Sequence, residues 1–223
     1  MISVVVPVRG EAPPSARFLA PLRAEPLVEL LVAADASAPA ATLAAWRSSG
    51  ASVVLSAEPR GSRLNAAASA SLGETLLFLH ADTILPNGFG VLVRRAIRGG
   101  AAGGAFRLAF DGGGPALRFV ATVAALRTAL TRVPYGDQAP FVRRDLFARL
   151  GGFPPWPLLE EVDLGRRLRK LGPIALLPAR ALTSPRRYLE RGVTRTFLEN
   201  WSILLRWRLG ASPFDLAKEY RTK

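Results

Sequence analysis

The chain from residue 76 to residue 83 reads Leu76-Leu77-Phe78-Leu79-His80-Ala81-Asp82-Thr83, and this stretch decides the predicted fold. A wholly apolar run is followed closely by an acidic residue. A buried strand does not tolerate a carboxylate inside its apolar run, so Asp82 must lie beyond the carboxyl end of that strand. Open α/β sheets bind their ligands at this edge. The stretch therefore predicts an α/β sheet with a binding site where this strand ends.

Strand-like and helical segments alternate through the first half of the chain. Short apolar runs predict strands at residues 2–8, 27–33, 52–56 and 75–79. Segments rich in Ala, Leu and Arg predict helices at 38–49, 63–72 and 88–98. Gly50, Gly73 and Gly99 are expected to end these three helices. The alternation predicts an α/β fold with a Rossmann-like, doubly wound, mostly parallel sheet and helices on both faces.

The pattern changes after Gly99 and becomes α+β in character. It predicts a strand at 103–110, a helix at 117–131, a loop at 133–139, a strand from residue 141, a short helix to residue 150 and a helix at 159–171. We expect one domain over residues 1–190 and a C-terminal extension of amphipathic helices over residues 191–223.

Composition limits the chemistry of any site. The 223 residues contain no cysteine, which excludes disulfides and thiolate metal sites. The single histidine, His80, excludes a histidine-rich zinc site. Carboxylates, arginines and hydroxyls must therefore supply the chemistry.

The formal net charge is +13, and since only three residues are lysines, nearly all positive charge is guanidinium. Arginine recognises phosphate through its bidentate fork, although an arginine-rich genome gives the same composition. Both interpretations stay open. Met1 to Pro7 begins a strand and lacks the regions of a signal peptide, and charges interrupt the apolar runs before about 20 residues. We therefore expect a cytoplasmic protein, with a peripheral position on the inner face of the plasma membrane as the alternative.

Five short motifs occur together along the chain: Arg60, Leu64-Asn65, His80-Ala81-Asp82-Thr83, Tyr135-Gly136-Asp137-Gln138 and Gly151-Gly152-Phe153. With them, nearly the whole sequence resembles the family 2 glycosyltransferases of GT-A fold. It looks closest to a bacterial subgroup described as "transferase 2, radical-SAM/selenodomain-associated". The resemblance implies an inverting, metal-dependent transfer of a sugar from a nucleoside-diphosphate sugar to an acceptor hydroxyl. It also implies a nucleotide-binding half at 1–99 and an acceptor half at 100–190.

The resemblance assigns the donor site to residues near strand ends. Its nucleotide-sugar-binding residues are Pro7, Arg9, Glu11, Asp35, Arg60, Asn65, His80 and Asp82. Asp35 has two readings that stay open: it accepts hydrogen bonds from the base or ribose, or it caps the helix expected near Ala38. Arg63, Arg186 and Arg187 are further candidates for contact with the diphosphate, and surface solvation is the alternative for each arginine.

Asp82 matches the second aspartate of the family's Asp-x-Asp motif, and His80 replaces the first. The resemblance implies Mn²⁺ or Mg²⁺ bound by Asp82 and His80. One carboxylate leaves most of the ligands to the diphosphate and water. For His80, hydrogen bonding to the backbone at the strand end is the alternative.

Glu160-Glu161-Val162-Asp163 aligns with the family's Glu-Asp motif, which implies that Glu161 is the general base. Glu160 and Asp163 are possible stand-ins, and an acidic first turn that complements the helix dipole is the other reading. Tyr135-Gly136-Asp137-Gln138 has the composition of a loop that contacts the acceptor or the donor sugar, although a simple turn looks similar.

Residues 195–209 form an amphipathic pattern, with one apolar face made by Phe197, Leu198, Trp201, Leu204 and Leu205. Such a helix suits peripheral contact with an anionic membrane and a lipid-linked acceptor. Packing against the catalytic domain or a second subunit is the alternative.

Two other functions are possible interpretations of the sequence. A sugar nucleotidyltransferase needs a glycine-rich N-terminal loop with a basic residue, and Val8-Arg9-Gly10-Glu11 matches it poorly. A non-catalytic basic module would bind nucleic acid or anionic lipid. However, the carboxylates gather at predicted strand and helix ends, and no basic helix carries interleaved aromatic residues. We therefore expect an enzyme and no nucleic-acid partner.

Overall fold

The computed structural model describes residues 1–10 and 13–222 and, of the last two of these, only the backbone. The strands are β1 (Ile2–Val8), β2 (Val28–Asp35), β3 (Ser52–Ser56), β4 (Thr75–Phe78), β5 (Thr83–Ile84), β6 (Gly103–Phe110), β7 (Phe141–Arg143) and β8 (Ile174–Thr183). The helices are α1 (Ala16–Ala24), α2 (Ala40–Ser48), α3 (Arg60–Ala70), α4 (Phe89–Arg98), α5 (Pro115–Thr131), α6 (Arg144–Arg149), α7 (Glu160–Leu168), α8 (Arg186–Arg191), α9 (Val193–Arg208) and α10 (Pro213–Thr222).

All the strands join one sheet in the order β3-β2-β1-β4-β7-β6-β8-β5. The first four in this order are parallel, β7 is antiparallel to both of its neighbours, and β8 is parallel to β6. The predicted doubly wound, mostly parallel sheet is therefore confirmed.

The strand order places a topological switch beside β1. The chain moves outward from β1 through β2 to β3 and then returns to β4 on the other side of β1. Because the connections leave β1 and β4 in opposite directions, a crevice opens at their carboxyl ends. Pro7 lies at the end of β1, and His80 and Asp82 follow β4 at this crevice.

Two apolar cores cover the two faces of the sheet. Leu77 and Leu79 point into a core shared with α1, α2 and α4, and Leu76 and Phe78 point into a core shared with α3, α6 and α7. Successive side chains of a strand alternate between faces, so a strand buried on both sides must be apolar throughout. This requirement explains the unbroken run before His80, and the prediction of helices on both faces is confirmed.

One predicted helix differs at both of its ends. α3 begins at Arg60 rather than residue 63, and it ends at Ala70 because Ser71 takes an extended conformation. Gly73 was wrong as its stop: its backbone N–H donates to Ser3 Oγ at 2.8 Å. A Cβ at residue 73 would lie 2.5 Å from that oxygen, so close packing on β1 explains this glycine.

The sequence pattern did not predict α1, β5, β8 or α8. α1 begins at a Ser15 cap, whose Oγ accepts from the Phe18 N–H at 3.1 Å. β8 was hidden by Pro178, which interrupts its strand pattern. The pairing with β6 shifts there, from Leu177 opposite Phe106 to Arg180 opposite Arg107, and the irregularity accommodates a residue that lacks an N–H.

α9 packs differently from the predicted apolar face. Leu204 is buried, but Leu198 and Leu205 are each 59% exposed, and Thr196 is buried instead. The inward side is set by a third apolar cluster, in which Leu204 meets Val133, Val162 and Leu216. None of the helices in the described part of the chain is long and apolar enough to span a bilayer.

Candidate active site

Three segments converge at the carboxyl end of β4. His80 and Asp82 follow β4 directly. Because β7 runs antiparallel to β4, the residues before β7, including a 3₁₀ turn at Gly136–Gln138, lie beside that end. The first turn of α7 supplies Glu160 and Glu161. The structure therefore brings together both metal-ligand candidates, both base candidates and the predicted acceptor loop.

Arg60 connects these segments through its guanidinium group. It donates to the Glu160 carboxyl group, forms an ion pair with Glu161 at 3.2 Å, and makes a hydrogen bond to His80 Nε2 at 2.8 Å. The first turn of α3 reaches α7 because Gly61 permits close contact: its N–H donates to the Trp156 carbonyl at 2.9 Å, and a Cβ would collide with the Pro154 carbonyl. Arg60 is therefore a structural centre of the site.

Glu160 and Glu161 differ in charge although they are adjacent. Burial raises the pKa of Glu160 to about 8 and outweighs the opposing effect of Arg60, while the nearby Glu161 adds to the rise. For Glu161, burial acts to raise the pKa, but the Arg60 guanidinium, helped by the neighbouring His80 ring and hydrogen bonds, outweighs it and lowers the pKa. At neutral pH Glu160 is mostly protonated and Glu161 is a carboxylate.

His80 is a neutral imidazole in this arrangement. Burial and the Arg60 charge lower its pKa, against the opposing effect of the nearby carboxylates. A guanidinium has no acceptor, so Nε2 must accept the hydrogen bond from Arg60 and the ring proton belongs on Nδ1. The Nε2 lone pair is thus already engaged by Arg60.

Gly136 brings the acceptor-loop candidates into direct contact with the charged groups. A Cβ at this position would lie 2.6 Å from Glu161 Oε1 and 2.6 Å from His80 Nε2. Only glycine therefore allows the turn to approach this closely. The cavity beside it is lined by Tyr135, Gly136 and Asp137 together with His80, Asp82 and Glu161.

Gln138 lies away from the cavity, because its side chain is fully buried beneath the turn. Its Oε1 accepts from the Thr128 hydroxyl at 2.8 Å and from the Tyr135 N–H at 3.1 Å. The amide thus anchors the turn to α5, and Gln138 does not line the cavity.

The pKa of Asp137 is shifted in the opposite direction from that of Glu161. Burial raises its pKa, with Arg127 and His80 opposing and Glu161 adding to the rise. Its Oδ1 is buried and has no hydrogen-bond partner among the described residues. The sequence identified Asp137 only as a loop residue, whereas its position on the cavity wall makes it a second candidate for proton transfer.

Asp82 is an exposed carboxylate at the cavity, and its Oδ1 accepts a hydrogen bond from the Thr83 hydroxyl at 3.4 Å. It has no ion-pair partner among the residues that the structure describes, although the protein carries a net charge of +13. No group of three His, Asp or Glu side chains converges there within the same residues. The chemistry fits Mn²⁺ or Mg²⁺ bound by one carboxylate and completed by oxygen atoms of a substrate.

A second polar cluster lies at the carboxyl end of β2. Asp35 forms an ion pair with Arg63, lies 3.7 Å from Arg9 Nε, and accepts from the Ser37 N–H at 3.0 Å and hydroxyl at 2.7 Å. Burial acts to raise the pKa of Asp35, but Ser37 and the two arginines outweigh it and lower the pKa. The helix-cap reading was wrong, since α2 begins only at Ala40 and Asp35 closes the turn at Ser37 instead. Glu11 lies outside the described residues.

Asn65 is placed on α3 facing the Gly152–Phe153 turn. Its Nδ2 donates to the Phe153 carbonyl at 2.8 Å, and its Oδ1 accepts from the Phe153 N–H at 2.9 Å. Both ends of the amide are therefore engaged by backbone, and Asn65 does not line the cavity.

The sequence did not identify the far wall of the cavity, which has a volume of about 290 Å³. α5 contributes Val120, Val123, Ala124 and Arg127, and α9 and α10 contribute further residues. The spacing of these α5 residues predicts that they lie on one face of the helix. Which face of α5 lines a cavity depends on α9, more than 60 residues later in the chain, and no local pattern reveals this contact.

No protein-family model and no curated protein matches the sequence. Among solved structures, the chain is similar to S. aureus TarS in complex with UDP, at 18% identity and a TM-score of 0.62, over 85% of this chain and 62% of that one. It is similar to the mannosyltransferase PcManGT from Pyrobaculum calidifontis in complex with GDP-Man and Mn²⁺, at 20% identity and a TM-score of 0.63, over 81% and 56% of the two chains.

A third similar structure is glucosyl-3-phosphoglycerate synthase from Mycobacterium tuberculosis in complex with Mn²⁺, UDP and phosphoglyceric acid, at 23% identity and a TM-score of 0.52, over 82% and 68% of the two chains. The chain spans less than two thirds of the length of the first two proteins. At these identities the likeness shows the fold: the chain has the GT-A-type, Rossmann-like α/β fold.

Proposed function

We propose that this protein is an inverting, metal-dependent glycosyltransferase, related to family 2, that moves a sugar from a nucleoside-diphosphate sugar to an acceptor hydroxyl. The observation that carries the proposal is the convergence of the Asp82 and Glu161 carboxylates on one cavity at the switch point of the sheet. The shared fold and the nucleotide sugars bound by similar structures support it.

The donor is proposed to lie across the crevice. Asp35, at the end of β2, is placed to accept hydrogen bonds from the base or ribose, and Pro7 and Arg9 flank the same edge. Asp82 would hold Mn²⁺ or Mg²⁺, which when bound neutralises charge on the diphosphate. Arg60, which contacts Glu160, Glu161 and His80, would stabilise the departing diphosphate.

Glu161 is proposed to act as the general base. It removes the proton of the acceptor hydroxyl while that oxygen bonds to the anomeric carbon and the bond to the diphosphate oxygen breaks. Attack from the side opposite the diphosphate inverts the configuration. Glu160 is mostly protonated at neutral pH and is proposed to position Arg60 and Glu161 rather than to take the proton.

Asp137 is the alternative base, and a specific observation favours it. Its pKa is raised by burial, whereas that of Glu161 is lowered, and a base works best when its pKa lies near the working pH. Activity that survives in Glu161→Gln and disappears in Asp137→Asn would assign the proton transfer to Asp137.

Calorimetric titration with UDP-, GDP- and dTDP-sugars in the presence of Mn²⁺ tests the function. We expect one donor class to bind, and we expect Asp82→Ala or removal of Mn²⁺ to weaken binding at least tenfold, about 1.4 kcal/mol. Asp145→Ala is the matched control, because Asp145 is an exposed carboxylate on α6. Absence of binding to every donor, or equal binding by Asp82→Ala, would overturn the proposal and favour a basic binding module.

We also propose peripheral contact of residues 195–209 with the inner face of the plasma membrane. The supporting observation is that α9 leaves Leu198, Trp201 and Leu205 exposed in a protein of net charge +13. An exposed apolar face on a basic protein suits an anionic lipid surface.

A further inference from the structure

The cavity continues beyond Glu161 into an apolar space between α5 and α9. Its walls there are formed by Val120, Val123 and Ala124 of α5 and by Phe197, Trp201 and Leu204 of α9. A sugar or nucleotide presents hydroxyl and phosphate groups, which such walls leave without hydrogen bonds. The chemistry of this part of the cavity therefore fits an aliphatic chain.

The lining also contains polar groups: Asn200, whose Nδ2 donates to the Tyr188 hydroxyl at 3.2 Å, and two arginines, Arg127 and Arg187. Arg127 lies over the Tyr135 ring, 3.3 Å from its centroid, and Arg187 lies over the Tyr220 ring at 3.5 Å. Arg127 donates to Gln138 Oε1 at 3.2 Å, but neither arginine forms an ion pair within the described residues, and the Nε–H of each is buried without a hydrogen-bond partner there. Both side chains are half-buried, and a guanidinium held away from water without an anion is costly, so both are suited to bind an anionic ligand.

A neighbouring positive charge, that of Arg191, adds to the need of Arg187 for an anion. Burial lowers its pKa, and the neighbouring Arg191 lowers it further, against the effect of Glu199. Two adjacent guanidinium groups repel each other unless an anion lies between or beside them. The cavity carboxyl Asp137 acts to raise the pKa of Arg127, but burial raises the pKa of Asp137 itself, which makes it a weak counterion.

We propose that the acceptor is an anionic amphiphile, with an apolar chain held between α5 and α9 and a phosphate or carboxylate group bound by Arg127 and Arg187. This inference rests on the proposed function, since it places the acceptor hydroxyl at Glu161 and Asp137. The volume of about 290 Å³ lies at the lower end of the range for small-molecule sites, about 300–1,000 Å³. A longer chain leaves the cavity beside Trp201, which is 39% exposed.

Binding of simple alkyl phosphates tests the inference without knowledge of the donor. The probes are hexyl, octyl and decyl phosphate below their micelle concentrations, with decanoate, 1-decanol and inorganic phosphate for comparison. We expect affinity to rise by up to about fourfold for each added methylene until the cavity is filled. The affinity for decanoate should lie within about tenfold of that for decyl phosphate. 1-Decanol should bind at least tenfold more weakly than decyl phosphate, and inorganic phosphate should show no saturable binding.

Variants separate the apolar and charged parts of the site. Ala124→Phe fills the space beside α5 and should abolish the rise in affinity with chain length. Arg187→Gln should weaken the binding of decyl phosphate at least tenfold while leaving the binding of 1-decanol unchanged. Leu126→Phe is the control, because Leu126 is 59% exposed on the same helix and does not line the cavity. Thermal midpoints and donor binding of every variant show whether it is folded, and Arg187→Gln keeps the test valid if Ala124→Phe does not fold.

The outcomes distinguish this inference from the proposed function. If donor binding is intact but alkyl phosphates bind no better than inorganic phosphate, the amphiphile is excluded and the glycosyltransferase stands. Equal chain-length dependence in Ala124→Phe and Leu126→Phe would also overturn the inference. If alkyl phosphates bind but no nucleotide sugar does, the acceptor role and the proposed function fail together.

Discussion

Glu160 and Glu161 are neighbours in sequence, yet the structure gives them opposite protonation states near pH 7. Both side chains contact Arg60, but Glu160 is fully buried with one oxygen that has no hydrogen-bond partner among the described residues, whereas Glu161 also lies near His80. The sequence identified the pair as acidic residues that open a helix. It did not identify the difference, because Arg60 lies about 100 residues earlier and its approach depends on the fold.

The raised pKa of Glu160 predicts a pH-dependent stability. The folded protein binds this proton more tightly than the unfolded chain does, so stability falls as the pH rises from the ordinary pKa of 4.5 to about 8. Glu160→Gln mimics the protonated group and should remove this dependence. We expect its unfolding free energy, relative to wild type, to increase between pH 6 and 8.5 by at most about 1.4 kcal/mol per pH unit.

Urea denaturation at several pH values measures this difference. Glu74→Gln is the control, because Glu74 is an exposed residue before β4. Parallel pH curves for wild type and Glu160→Gln would show that Glu160 ionises normally.

At the scale of elements, the first half of the sheet was predictable because its signals are local. Apolar runs specified β1, β2, β3 and β4, and Asp82 followed from the end of one of them. The contacts that complete the site were not predictable in this way. Gly61 against Pro154 and Gly136 against Glu161 join segments distant in sequence, and a glycine in a sequence does not reveal which neighbour requires it.

α3 supplies a test of how an element supports the site. Asn65→Ala removes both hydrogen bonds to the Phe153 backbone, so the N–H and carbonyl of Phe153 lose these partners. We expect a loss of about 1–3 kcal/mol in unfolding free energy. Urea denaturation measures the loss, and calorimetry measures whether donor binding also changes.

Asn87→Ala is the control for α3, because Asn87 is exposed, and a change within about 0.5 kcal/mol is expected. If Asn65→Ala leaves stability unchanged but weakens donor binding tenfold, the direct role of Asn65 in nucleotide-sugar binding is favoured over its structural one.

At the scale of the whole molecule, the C-terminal helices are part of the site rather than an appendage to it. α9 and α10 contribute Phe197, Trp201 and Tyr220 to the cavity, and Leu204 and Leu216 join the third apolar cluster. The sequence predicted an amphipathic helix at 195–209. It could not show that one side would close a cavity while Leu198 and Leu205 stayed exposed, because the partner helix α5 fixes the orientation.

The exposed side of α9 predicts binding to anionic membranes. We expect the protein to sediment with vesicles of phosphatidylglycerol and to stay in solution with vesicles of phosphatidylcholine, with binding reduced by salt. The double variant Leu198→Gln/Leu205→Gln should reduce the bound fraction severalfold. Leu72→Gln is the control, since Leu72 is 77% exposed between α3 and β4.

Equal binding of wild type and the double variant would exclude insertion of α9. Binding to neither vesicle would exclude the membrane contact and leave the exposed leucines as a surface for a protein partner.

The Arg60 guanidinium already has polar partners within the site: Glu160, Glu161 and His80. Under the proposed function, a diphosphate would compete with these groups for the same guanidinium. Because Arg60 lowers the pKa of Glu161 more strongly than any other group, an anion that draws Arg60 away raises that pKa. Occupancy at Arg60 and proton affinity at Glu161 are thus linked quantities, each changing the other by the same free energy.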